Sequence, residues 1–138
     1  MEAKYQRACY LDLPVFQKKL FEENDINTYA EQLDIARRSC ESLPGTERKL
    51  CFFGMGNFVY RVRDERGKRI DMNHYCEQFD TEADKGSCML GVVRSYMAAA
   101  SVLYEDALWY CAAAVPASRR DTCYSAAFRL RENNEETN

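Results

Sequence analysis

Seven cysteines are the residues in this chain whose type and spacing could carry chemistry. A thiolate can act as nucleophile, redox partner or metal ligand, and an oxidised pair acts as a staple. Metal centres and dithiol couples ordinarily bring at least one C-x-x-C pair, yet the two nearest cysteines here, Cys40 and Cys51, stand eleven positions apart. The six from Cys40 onward fall into three pairs, 40 with 51, 76 with 88 and 111 with 123, with ten, eleven and eleven residues between partners. First cysteines recur after 36 and 35 residues, second ones after 37 and 35. Regular, wide pairs read as structural disulfides in an oxidising, extracytoplasmic compartment, periplasmic or secreted. The alternative is a thiol- or metal-handling helical protein with some cysteines reduced, which free thiols or bound metal in native material would reveal.

Other reactive side chains add little. His74 is the only histidine, and a metal site built on it would need partners that the sequence does not supply. No serine lies in a nucleophile-elbow context. Glu22 with Glu23, and Glu105 with Asp106, are sequence neighbours and point to different faces of a helix. The reading therefore expects no catalytic residue, no cofactor and no metal. A net charge of -3 argues against nucleic acid. Arg61, Arg63, Arg66, Lys68 and Arg69 cluster, but Asp64 and Glu65 interrupt them, as in a solvated helix end and its turn. With 46% hydrophobic and 30% charged residues the composition is that of a globular domain. No run approaches membrane-spanning length, and the N-terminus lacks a charged region leading into an apolar one. Met1 is expected to stand where a signal or an upstream part of the chain has been removed.

The elements that must position the cysteines are helices. Tyr5, Cys9, Leu13, Phe16 and Leu20 recur at helical spacing in an N-terminal helix over 1–23, kinked at Pro14. Thr28 with Glu31 is a capping-box signature, and Tyr29, Leu33, Ala36 and Cys40 share one face of the helix it opens. Leu43, Pro44 and Gly45 stop it. Thr46 can cap the next helix, whose inner side is Leu50, Cys51, Met55, Phe58 and Val59 and whose end is near Arg66. A short helix from Ile70 to Phe79 comes next. Thr81 with Asp84 opens another through Cys88, Val92 and Tyr96, Ser101 starts the one through Ala107 and Cys111, and Ser118 with Asp121 precedes Cys123.

Each repeat then reads as one αα-hairpin, its first cysteine in the last turns of one helix and its second early in the next. A bond between them would cross the hairpin near its turn, where backbones lie within disulfide reach. The six cysteines alone still allow fifteen pairings. In the chain-entropy account each local bond contributes about 3 kcal/mol. Three positions beyond the second cysteines stand Gly54, Gly91 and Ala126, small residues that would let a neighbouring helix approach closely. Around Cys9 the sequence RACYLDLPVF aligns with KLCFFGMGNF and SCMLGVVRSY, as though Cys9 were the second cysteine of a hairpin whose first helix is absent. A buried free thiol and an intermolecular bond are the other readings.

This pattern, about 35 residues per helix pair with a small residue after an early second-helix cysteine, resembles α-solenoid repeats of the tetratricopeptide type. It is most similar to their disulfide-stapled, Sel-like relatives over Thr28 to Arg131. The resemblance implies an all-α fold: a right-handed array of about three stapled hairpins (28–67, 68–100 and 101–131) within one domain, 1–131, ending in a flexible tail at 132–138. It also implies a non-catalytic scaffold that binds another protein or peptide, alone or as a subunit of a larger assembly. Aromatics make up 12% of the chain, too many for one narrow stripe, and Phe53, Tyr60, Tyr104 and Trp109 are the partner-binding candidates.

Overall fold

The computed structural model describes residues 29–66, 76–98 and 104–137. Within them the chain is all-helical: α1 (Tyr29–Glu41), α2 (Gly45–Arg66), α3 (Glu82–Met97), α4 (Tyr104–Ala113) and α5 (Ala117–Thr137). The expected helix over 1–23, most of the short helix from Ile70, Thr28, Ser101, Cys9 and His74 lie outside the described residues, as do the side chains of the basic cluster.

Local chemistry sets the ends. Gly45 takes φ +46°, in the left-handed region that glycine enters without a Cβ clash, and absorbs the reversal between α1 and α2. The Pro44 carbonyl then accepts from the Arg48 amide, so α2 begins at Gly45, one residue ahead of the expected cap at Thr46. Thr81 does cap α3: it is extended, with φ -112° and ψ 149°, and its hydroxyl accepts from the Asp84 amide at 3.1 Å. Between α4 and α5 the Pro116 carbonyl accepts from Arg119. No glycine or proline interrupts Ala117–Thr137, and α5 runs on through the polar end expected as a flexible tail.

Packing is organised by the cysteine-bearing second helices. α3 lies between α2 and α5, α1 covers α2, and α4 packs on α3 and α5. On α1 the buried face is Leu33, Ala36 and Cys40, as its period requires. α2 is different: Cys51, Phe52, Met55, Phe58 and Val59 are all buried, because α1 and α3 enclose it from two sides. α3 likewise buries Met89, Val93 and Met97 besides Cys88, Val92 and Tyr96.

Two glycines fix the closest crossing. A Cβ on Gly56 would lie 2.5 Å from the Val92 nitrogen and 2.6 Å from the Gly91 carbonyl carbon. One on Gly91 would lie 3.1 Å from the Gly56 Cα and would overlap the Phe53 carbonyl oxygen. Both contacts are with backbone, which cannot step aside as a flexible side chain would. Gly91 therefore has the close-approach role expected of it. Its partner is Gly56, two residues beyond Gly54, which is buried nearby.

Candidate binding surface

The cysteines define what is not available for chemistry. Bonds join Cys40 to Cys51, Cys76 to Cys88 and Cys111 to Cys123, with Cα separations of 5.3, 5.6 and 5.6 Å. All six are buried, so as bonded pairs they offer neither an accessible nucleophile nor a ligand. Among the described residues no group of three or more His, Cys, Asp or Glu side chains converges as a metal site would require. Six cysteines are thereby used, and Cys9 is left over.

Charge is arranged in ties between layers. Arg48, three residues before Cys51, makes a two-pronged contact with Asp84: Nη2 donates to Oδ2 at 2.7 Å and Nε to Oδ1 at 3.1 Å. Nη1 also donates to the Glu41 carbonyl at 3.3 Å, and the Asp84 hydrogen bonds raise the guanidinium pKa further. Asp84 is only 4% exposed, and this fork satisfies a carboxylate that would otherwise be buried at high cost. Arg119, four residues before Cys123, pairs with both Glu77 and Glu82. These ties cross 36 to 42 residues of sequence and hold neighbouring hairpin ends together.

A groove of about 300 Å³ lies beside α1, lined by Leu33, Asp34, Arg37, Gln78, Phe79 and Asp80. Its one cation, Arg37, is already engaged: Nη2 donates to Asp34, and Nη1 donates to Glu41 at 2.9 Å and lies 4.0 Å from Asp80. The Arg37 hydrogen bond holds the Asp34 carboxyl below its usual range. With its donors taken by its own carboxylates, Arg37 has little to offer an anion, and the groove lining contains no nucleophile.

The four aromatic candidates are all half-buried. Phe53 faces Arg94 on α3, with the guanidinium carbon 5.7 Å from the ring centre. Tyr60 stacks edge-on against Tyr96 at 5.0 Å, which in turn lies 6.2 Å from Tyr110. Tyr104 sits beneath Arg131 at 4.5 Å, and Trp109 packs against the core from α4. They are distributed over α2 and α4, each doing part of the packing. Of the pair Trp109 and Tyr110, Tyr110 is the core residue, and burial pushes its hydroxyl pKa well up from 10.0.

Among the described residues, the exposed large apolar side chains are two that lie outside the expected set. Tyr124 is 36% exposed and Phe128 52%, one turn apart on α5. Register gave no signal of their exposure: they stand one and five residues after Cys123, where α2 has Phe52 and Gly56 and α3 has Met89 and Val93, all buried. No protein-family model, no curated protein and no solved structure matches the chain.

Proposed function

We propose that this chain is a non-catalytic, extracytoplasmic scaffold, a right-handed array of disulfide-stapled helical hairpins that binds another protein or peptide, alone or as a subunit of a larger assembly. The observation that carries the reading is the exposed pair Tyr124 and Phe128, aromatic side chains held one turn apart on a helix whose adjacent face is anchored by the buried Cys123 and Ala127. Rigid, amphipathic rings of this kind supply contact area at low entropy cost. The oxidising compartment is supported by three buried disulfides, which a reducing cytosol would not maintain.

The test is crosslinking of the native protein in its own fluid, followed by identification of the joined peptides. Crosslinks should centre on α5, and Tyr124→Ala with Phe128→Ala should abolish them while leaving the helical circular dichroism unchanged. Phe53→Ala and Trp109→Ala should weaken them less. A thiol titration belongs beside it: one free thiol at most, that of Cys9, agrees with the scaffold. Several free thiols, stoichiometric metal, or crosslinks indifferent to every one of these aromatics would sink the reading.

A further inference from the structure

We propose that α5 is the contact of a symmetric dimer, in which a second copy of this chain lays its own α5 parallel to the first, ring against ring; this rests on the binding reading above and names its partner. The charges beside the rings carry the argument. At about 100° per residue, Arg131 and Arg120 lie about 20° and 40° to one side of Tyr124, while Asp121 and Glu132 lie about 20° and 40° to the other side of Phe128. All six side chains are exposed. The ring pair is thus bordered along one edge by two cations and along the other by two carboxylates. Contacts within the chain set the cationic edge: Arg120 donates from Nε to the Val115 carbonyl at 2.9 Å, and Arg131 lies over the Tyr104 ring at 4.5 Å.

The order of these charges is self-complementary in one orientation only. A two-fold axis running along two parallel helices sets each edge of one copy against the opposite edge of the other at the same level. Arg120 then faces Asp121 of the second copy and Arg131 faces its Glu132, and symmetry doubles both pairs. Tyr124 and Phe128 meet their own counterparts between those pairs, as aromatic rings enclosed by charge. Antiparallel helices would instead bring like edges together, Arg120 to the other copy's Arg131 and Asp121 to its Glu132, and repulsion disfavours that arrangement. Phe128 stands where α2 has Gly56, so the two α5 helices are held apart by side chains that fill the seam, unlike the backbone contact of Gly56 with Gly91.

Sedimentation velocity of the full chain over a wide concentration range tests this. The wild-type mass should climb with concentration to the dimer and stop there. Tyr124→Glu with Phe128→Glu should weaken association about 30-fold or more, the effect of losing a hot spot. Arg120→Glu alone, and Asp121→Arg alone, should each weaken it about 10-fold, since two exposed pairs become two like-charge contacts. An equimolar mixture of those two variants should dimerise about as well as wild type, because every edge again meets its opposite. Should the ring variant fail to fold, the two charge variants and their mixture decide. A wild type that stays monomeric, growth past the dimer, or a dimer indifferent to the ring and charge substitutions overturns the proposal. So does tighter association of Arg120→Glu, the sign expected of antiparallel helices. If the wild type is monomeric but crosslinks in its own fluid to a different protein through Tyr124 and Phe128, the dimer inference falls and the binding reading stands; if it does neither, both fall.

Discussion

The seam between α2 and α3 and the outer face of α5 occupy the same register relative to a second cysteine, yet one is closed and the other open. At the seam, Gly56 and Gly91 bring backbones together, and Arg48 with Asp84 ties the helix starts. On α5 the corresponding positions carry the rings of Tyr124 and Phe128, and Arg120, aligned with Arg48, turns its Nε back to the Val115 carbonyl at 2.9 Å. Glycine at a crossing specifies one close neighbour, because only backbone fits against it. An exposed aromatic pair leaves the neighbour to be supplied. The difference teaches that one repeated pattern serves as core or as surface according to whether another helix packs across it.

That contrast can be broken from the closed side. Reducing all three bonds should have the largest effect: at about 3 kcal/mol each, they rival the roughly 5 to 15 kcal/mol that typically stabilises a domain. Far-UV circular dichroism in reductant should show unfolding, and a retained native melt would show that packing alone suffices. Next, Gly91→Val should destabilise by about 3 kcal/mol, the upper end of overpacking, since its added carbons meet Phe53 and Gly56 backbone. A melting temperature lowered by less than a few degrees would mean that the helices can separate cheaply.

Asp84→Ala removes both prongs of the tie and leaves Arg48 without its carboxylate. Arg48 is partly exposed and water can replace part of the loss, so the expected cost is about 1 to 2 kcal/mol in a denaturant titration. An unchanged midpoint would show that the fork contributes nothing net. Tyr110 gives a pH signature on the other side of α3. Burial raises its folded pKa above the ordinary 10.0, so its contribution is complete below pH 10.0 and is lost as pH rises beyond it, when the unfolded chain ionises first. Tyr110→Phe should flatten that alkaline decline, and an identical decline in both proteins would refute the assignment. The smallest effect is expected on the open face. Tyr124→Ala and Phe128→Ala should change monomer stability by no more than about 0.5 kcal/mol each, while a larger loss would place those rings in a core.

Much of the helical layout was legible because it rests on local chemistry. Leu43, Pro44 and Gly45 break α1 from α2 as expected, and Thr81 with Asp84 caps α3. Pairing across each turn was the expectation among fifteen possible pairings, and the bonds join those pairs. The surface was less legible. Phe53, Tyr60, Tyr104 and Trp109 are half-buried, because Tyr96, Arg94 and Arg131 arrive beside them from elements distant in sequence. Tyr124 and Phe128 carry no local mark of exposure, since the same positions on α2 and α3 are buried.

By itself, then, the sequence pointed to the break between α1 and α2, the Thr81 cap, the local cysteine pairs and the inward face of α1, all matters of neighbours a few to a dozen residues apart. Tertiary structure alone decided that Gly56 rather than Gly54 meets Gly91, that Arg48 reaches Asp84, and that α5 presents two rings to solvent. The physical reason is that burial depends on which helix lies across the face, and periodicity within one helix carries no information about its neighbour's depth or angle.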